Sequence, residues 1–138
     1  ERIAQHLADG LRAPAMTTVP PARVHRDLHG ALDEERLPAI AVETGDEPVP
    51  SNAQIGAEDR WVRVHLAVVG AGANPYGAAD AALLEAHARV MADCELCGLA
   101  IDIREAETRR RRHEGVRQLG VIEKTYVVQY RTAEGELV

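Results

Sequence analysis

The stretch GLAIDIREAETRRRRHEGVRQLGVIEKTYVVQYRT, Gly98 to Thr132, decides the fold, because it contains two strand-like runs joined by a long polar connector. The first run is Leu99–Ile103 and the second is Val121–Arg131. Apolar and polar residues alternate along the second run, which predicts a half-buried β-strand. One face of this strand carries Ile122, Tyr126, Val128 and Tyr130, and the other carries Glu123, Thr125, Gln129 and Arg131.

The connector Arg104–Gln118 contains five consecutive residues that can hold positive charge: Arg109, Arg110, Arg111, Arg112 and His113. Such a run cannot lie in a core, so we predict a long basic β-hairpin that projects it from the rest of the protein. Three interpretations stay open for the run: a solvated hairpin tip, an arm that contacts another subunit, or a contact with phosphate. The solvated tip is the simplest of the three, because charge runs are usually exposed.

Composition limits the class of protein. The chain has 138 residues, about the size of one domain, and we predict a single domain over residues 1–138. It has no Phe, one Trp and three Tyr, so its thin core must consist mainly of aliphatic residues and could be completed by other subunits. The net charge of −6 argues against a general nucleic-acid binder. No apolar stretch approaches the ~20 residues that cross a bilayer, so we expect no membrane partner.

The remaining elements predict an α+β fold. Helices are expected over Glu1–Arg12 and Tyr76–Cys94, and strands over Arg23–Leu28, Leu37–Glu43 and Trp61–Val69. The residues of the long helix that we expect to face the core are Ala79, Leu83, Leu84, Ala86, His87, Val90, Met91 and Cys94. We predict a mostly antiparallel, mixed sheet of about four to six strands, with two helices packed on one face.

The segment Gly45–Glu58 is rich in Pro, Gly and polar residues and lacks an apolar pattern. We expect a loop that is mobile in the free monomer and becomes ordered on assembly. The residues that represent this loop are Glu47, Pro50, Asn52 and Gln54.

The search for catalytic chemistry finds no complete set of residues. Cys94 and Cys97 form a C-x-x-C at the end of a helix, where the helix dipole does not favour a thiolate. A zinc site would need further ligands, and His87 is the candidate on the same helical face. Without a signal peptide in the sequence, we expect free thiols in a reducing compartment. Ser51 is the only Ser and lies in no G-x-S-x-G motif, which argues against a serine hydrolase.

The order of the elements resembles that of tail terminator, or tail completion, proteins of long-tailed bacteriophages, also called minor tail proteins. The similar segments are the opening helix, LPAIAVETGDE at Leu37–Glu47, WVRVHLAVVGAG at Trp61–Gly72, DAALLEAHARVMAD at Asp80–Asp93, GLAIDI at Gly98–Ile103 and TYVVQYRT at Thr125–Thr132. The resemblance spans nearly the whole chain through its pattern, without an invariant catalytic signature.

The resemblance implies a structural protein of a phage or prophage. Members of this family form hexameric rings on the last ring of the tail tube, stop tube polymerisation and offer a surface for head joining. It implies no catalytic residue, cofactor or metal, and a location at the head–tail junction of the virion after synthesis in the bacterial cytoplasm. The implied partners are further copies, the tail tube protein and head–tail connector proteins, with the Arg run facing either a neighbour or the DNA. The alternatives are another head–tail connector, a nucleic-acid-contacting module, or a small C-x-x-C metal or redox protein.

Overall fold

The computed structural model describes residues 1–48, 51–115 and 117–136. Within them lie three α-helices and six β-strands. The helices are α1 (Arg2–Arg12), α2 (Leu28–Asp33) and α3 (Pro75–Ala92). The strands are β1 (Val24–His25), β2 (Ala39–Thr44), β3 (Ser51–Gln54), β4 (Ala57–Ala71), β5 (Asp102–His113) and β6 (Leu119–Ala133).

The six strands form one mixed sheet, which confirms the predicted α+β fold. Five strands follow the order β1-β2-β4-β6-β5, and β3 pairs separately with the first residues of β4. Only the pairing of β1 with β2 is parallel among the described strands. The centre of the sheet is the long antiparallel pair β4–β6, which is in register from Ala57 opposite Ala133 to Ala71 opposite Leu119.

The main core lies between one face of this sheet and helices α1 and α3, as the apolar periodicity predicts. Helix α1 buries Ile3, Leu7 and Leu11, which recur every four residues and form one stripe. Helix α3 buries chiefly small residues, Ala79, Ala82, Ala86 and Val90. The sheet contributes alternate residues of β2, β4 and β6, namely Ile40, Val42, Val62, Val64, Leu66, Val68, Ile122, Tyr126, Val128 and Tyr130. Leu84, which the sequence placed in the buried stripe, is instead 70% exposed.

Two paired glycines allow α3 to begin close to the sheet. Gly70 of β4 lies opposite Gly120 of β6. A Cβ atom on Gly70 would stand 2.2 Å from the carbonyl oxygen of Pro75, and one on Gly120 would stand 2.9 Å from the Pro75 Cβ. The first turn of α3 therefore occupies the space that two side chains would need. Asn74 caps this turn by accepting a hydrogen bond from the Gly77 N–H at 3.1 Å.

Helix α2 packs on the opposite face of the sheet and begins at Leu28, the last residue of the strand predicted over Arg23–Leu28. Asp27 caps α2 through a 2.6 Å hydrogen bond from the Gly30 N–H. A second, smaller apolar cluster forms beneath this helix from Ala31, Ala39, Ala41, Ala67, Val69, Leu119 and Val121. Because α2 has only six residues, it covers one end of this sheet face.

Residues 13–20 are held against α3 by a charged anchor. Glu85 of α3 accepts hydrogen bonds from the backbone N–H and the hydroxyl of both Thr17 and Thr18, at 2.7 to 3.1 Å. Arg89, one turn further along α3, donates to the backbone carbonyls of Pro14 and Ala15. The two side chains satisfy backbone groups that have no partner in a helix or strand.

The prediction of an irregular loop over Gly45–Glu58 is wrong for its second half. Residues 51–54 form β3 and residues 57–58 already belong to β4, so Asn52 and Gln54 lie in a β-hairpin rather than in an irregular loop. The predicted long basic β-hairpin is confirmed, and its first strand, β5, extends through the whole Arg run. Pairing with β4 and β6 supplies the hydrogen bonds that make these polar sequences extended, which local composition does not reveal. Pro50 and Val116 lie outside the described residues.

Among the described residues, no helix has the length and apolar character needed to span a membrane.

Candidate assembly interface

Strand β5 forms one edge of the sheet and carries the predicted basic residues. It pairs with β6 on one side and with no other strand in residues 1–48, 51–115 and 117–136. At 12 residues it is a long edge, and its residues from Thr108 to His113 are all exposed. A long edge strand offers unpaired N–H and C=O groups to another chain unless charge or a bulge discourages pairing.

The Arg run lies within this strand rather than at the hairpin tip, so its side chains alternate between the two sheet faces. Arg110 lies opposite Ile122, a residue of the main core, and therefore points to the side of α3. Arg112 shares that face. Arg109 lies opposite Glu123 and Arg111 opposite Val121, on the other face. The run therefore presents two pairs of Arg in opposite directions, not one patch of four.

Three of the four Arg residues have an acidic neighbour in the same subunit. Arg109 Nε lies 3.0 Å from Glu107 Oε2, and Arg111 lies 3.2 Å from Glu123 Oε2. Arg110 lies 3.9 Å from Asp80 of α3. Arg112 forms no ion pair with any residue that the structure describes. Because each pair is exposed on the Arg side, it contributes little stability, but it lowers the local positive charge.

A polar cluster joins β5 to α3 just before the Arg run. The register of β5 on β6 shifts between Glu105 and Glu107, a β-bulge. Glu105 there lies 2.5 Å from Lys124 Nζ of β6 and 3.4 Å from His87 Nε2 of α3. The Lys124 ammonium, through its hydrogen bond and charge, lowers the pKa of Glu105. These contacts fix where the edge strand leaves the helix-covered part of the sheet.

His87 completes this cluster through Tyr126. The Tyr126 hydroxyl lies 2.7 Å from His87 Nδ1, and the two rings stack with centroids 5.8 Å apart. With the imidazole proton on Nε2, which faces the Glu105 carboxylate, Nδ1 accepts the hydrogen bond of the Tyr126 hydroxyl. Burial, helped by the charge of Glu105, raises the pKa of Tyr126. His87, the candidate zinc ligand of the sequence, thus joins α3 to β6 and β5.

The sheet face opposite α1 and α3 is polar where α2 does not cover it. Trp61, Arg63 and His65 of β4 lie opposite Gln129, Val127 and Thr125 of β6 on this face. Thr125 is only 1% exposed and hydrogen bonds to His65 Nδ1 at 3.0 Å. Further along, Asp59 pairs with Arg131 at 2.7 Å. The hydrogen bond from Arg131, against a smaller opposing effect of burial, lowers the pKa of Asp59.

The far end of the β5–β6 hairpin rests on α2. Arg117 donates hydrogen bonds to three carbonyl oxygens that follow or end this helix, those of Leu32, Glu34 and Glu35. A cation is favourable there, because the last carbonyls of a helix carry partial negative charge. His113 and Gly115 line an open groove between the hairpin and α2, together with Leu32, Asp33, Glu35, Arg117 and Leu119.

The β3–β4 hairpin is the second projecting feature. Ile55 at its turn is a large apolar side chain that is completely exposed. Glu47, just before the hairpin, accepts a 3.0 Å hydrogen bond from the Tyr130 hydroxyl, so this predicted loop residue is tied to the sheet. The predicted ordering of this segment on assembly stays a prediction. An exposed Ile at a hairpin tip is typical of a contact with another molecule when further apolar residues join it.

The two cysteines do not act as a pair. The Cys94 thiol donates to the Met91 carbonyl, whereas the Cys97 thiol lies 3.5 Å from Asp93 Oδ2. Asp93 also faces His6 of α1, whose spacing in the sequence indicates a surface or interface residue and no metal ligand. The hydrogen bond and charge of Asp93 raise the pKa of Cys97. No sequence spacing joins His6 to residues 93 and 97, because the packing of α1 beside the end of α3 brings them together.

Comparison of the sequence with protein-family models and with curated proteins finds no match.

Proposed function

We propose that this protein is a structural component of a phage or prophage tail that forms a ring at the head-proximal end of the tail tube. In this role it ends tube polymerisation and provides the surface to which the head joins. The proposal is supported by the order of its elements, which resembles that of tail terminator proteins. It is not proposed to be an enzyme, and its partners would be further copies, the tube protein and head–tail connector proteins.

The observation that carries the proposal is the long edge strand β5. Its twelve residues pair with no strand other than β6 in the described part of the chain, and an exposed edge of this length favours uncontrolled association. The Arg run and the bulge at Glu105 limit such pairing, so the edge is suited to a partner whose surface is negatively charged. A neighbouring copy can supply that charge, because the protein has a net charge of −6 and acidic turns at residues 33–35 and 46–47.

Contact between a basic edge and a different, acidic surface is heterologous, and heterologous contacts close into rings when the rotation allows it. The thin aliphatic core fits this role, since a subunit that gains contacts from its neighbours needs less stability on its own.

Light scattering after size exclusion, over a range of protein and salt concentrations, tests the proposal. We expect particles of about six 15.0 kDa protomers, or recruitment of the monomer to purified tail tubes. Replacement of Arg109–Arg112 by Ala should abolish the ring if β5 contacts a neighbour, while replacement of the four by Lys should retain it. Failure of the wild-type protein both to form rings and to bind tubes would refute the proposal.

Contact with DNA is the second candidate, and Arg112 favours it because this residue has no acidic neighbour among the described residues. In this case the four Ala substitutions should leave the ring intact and alter DNA retention or tail joining. Direct phosphate contact would be supported if DNA binding weakens with salt. The slope of log affinity against log salt concentration should then become smaller when Arg112 is removed. Binding that is indifferent to Arg112 would exclude it.

A further inference from the structure

Three side chains with metal-binding atoms converge where α1 meets the end of α3. His6 Nε2 lies 3.5 Å from Asp93 Oδ2, and the Cys97 Sγ lies 3.5 Å from the same oxygen. The three ligand atoms all lie within 4.8 Å of one another. Atoms bound to one zinc ion at the usual bond lengths of roughly 2.0 to 2.3 Å stand about 3.3–3.7 Å apart. Two of the three separations already have this value.

The backbone after α3 holds Cys97 in this place. Leu96 and Cys97 have φ angles of +48° and +53°, and Gly98 follows at +85°. Left-handed backbone is unfavourable for residues with a side chain, so the surrounding contacts must hold this turn. One such contact is a 3.2 Å hydrogen bond from the Cys97 N–H to Asp93 Oδ1. It leaves Oδ2, the other oxygen of Asp93, directed at His6 and at the thiol.

The helices fix the other two ligands. His6 lies on α1, beside the apolar stripe of Ile3, Leu7 and Leu11. The burial of this stripe in the main core sets the orientation of the helix. Asp93 is the C-cap residue of α3. A small cavity adjoins the site and is lined by His6, Leu7, Gly10, Leu11, Arg89, Val90, Asp93 and Leu96. The ligands therefore come from two packed helices and a constrained turn, and the cavity leaves room beside them.

We propose that His6, Asp93 and Cys97 form a binding site for a divalent transition metal of the zinc class. One imidazole, one carboxylate and one thiolate are the nitrogen, oxygen and sulfur ligands that zinc accepts, whereas magnesium and calcium require oxygen. Three protein ligands leave one tetrahedral position for water or for a ligand from another chain. The bound ion would join α1 to the segment after α3, two parts of the chain that are 87 residues apart.

The site differs from the one that a C-x-x-C motif suggests. Cys94 takes no part, because its thiol donates to the Met91 carbonyl. This gives a matched pair of variants, in which one Cys of the same motif is changed and the other retained. The inference does not depend on the proposed ring, because metal binding can be measured on the monomer.

Zinc titration of the metal-free protein against a chromogenic chelator tests the site. We expect one equivalent to bind to the wild type and to Cys94→Ser, and affinity at least tenfold weaker in Cys97→Ser and in His6→Gln. Cobalt(II) in place of zinc should show a sulfur-to-metal charge-transfer band and a tetrahedral spectrum in wild type and Cys94→Ser only. The cobalt spectrum of Cys94→Ser, in which Cys97 is the one remaining thiol, decides the matter even if Cys97→Ser fails to fold.

Several results would overturn the inference. Wild-type protein that binds no zinc would do so, as would equal loss of binding in Cys94→Ser and Cys97→Ser. A cobalt complex of the wild type without thiolate absorption would also exclude Cys97 as a ligand. A rise in the melting temperature with zinc that disappears in Cys97→Ser but persists in Cys94→Ser would support it independently.

Discussion

Glu85→Gln tests whether one partly exposed carboxylate anchors residues 13–20. Burial alone would raise the pKa of Glu85, but the hydrogen bonds from Thr18 and Thr17 outweigh it and lower the pKa from 4.5 to about 2. The side chain is 20% exposed, so water partly screens the charge. The variant keeps the shape of the side chain and removes the charge, and its NH₂ group faces hydrogen-bond donors.

The lowered pKa sets the expected size of the effect. A fall from 4.5 to about 2 corresponds to about 3 kcal/mol of stabilisation of the charged form, since one pKa unit is worth about 1.4 kcal/mol. Partial exposure to solvent reduces this, and we expect Glu85→Gln to lower the free energy of unfolding by about 2 kcal/mol at pH 7.

The effect has a defined dependence on pH. The folded-state pKa lies below the unfolded-state value, so the unfolded chain binds more protons between pH 4.5 and pH 2. The contribution of Glu85 is complete above pH 4.5 and is lost as the pH falls toward 2. The difference in stability between wild type and variant should therefore shrink across this range, while the titration of other carboxylates affects both proteins equally.

Urea unfolding, followed by the fluorescence of Trp61 at pH 7, 4 and 2.5, measures this difference. Glu95→Gln is the control, because Glu95 is exposed and its side chain makes no hydrogen bond to a described residue. A change of less than about 0.5 kcal/mol in Glu85→Gln at pH 7 would refute the anchoring role. A loss that is the same at pH 7 and pH 2.5 would show that charge is not its cause.

Three further substitutions test packing. Gly70→Ala should lower the free energy of unfolding by about 2–3 kcal/mol, because its Cβ would stand 2.2 Å from the Pro75 carbonyl oxygen; a neutral effect in urea unfolding would contradict the close approach of α3. Gly10 lies in α1, and a Cβ atom there would meet open space. Gly10→Ala should therefore raise the free energy of unfolding by about 0.5–1 kcal/mol in the same assay, and a lowered value would argue against the helix. Tyr126→Phe should lower it by about 1 kcal/mol, since His87 loses its hydroxyl donor, and an unchanged midpoint would show that this bond is dispensable.

The assembly proposal and the metal site concern different parts of the molecule. Strand β5 and the β3–β4 hairpin lie at opposite sides of the β4–β6 pair, so a neighbouring copy can meet each of them separately. The site of His6, Asp93 and Cys97 lies instead at the contact of α1 with the end of α3. A metal there would stiffen the helical layer, with the sheet edge free to bind.

The projecting segments show how far local pattern can mislead. The polar composition of Gly45–Glu58 predicts an irregular loop, yet Ser51–Gln54 are a strand. The Arg run, predicted on a projecting hairpin, lies within the edge strand β5 rather than at the tip. A strand at the edge of a sheet buries little, so it needs no apolar alternation and leaves no trace of its conformation in the sequence. The same limit applies to Leu84, whose spacing fits the buried stripe of α3 although the fully buried line of this helix consists only of Ala79, Ala82, Ala86 and Val90.

The sequence by itself determined the elements that bury apolar side chains at a regular period: α1, α3, β4 and β6, and with them the α+β class. It also located the Arg run and the two cysteines. Only the tertiary structure decided that the run is a sheet edge with its Arg residues on alternate faces, and that Asp80, Glu107 and Glu123 neutralise part of its charge. Only it joined His6 to Asp93 and Cys97. Periodicity reports the contact of one element with the core, whereas ion pairs and ligand sets depend on which distant elements pack together.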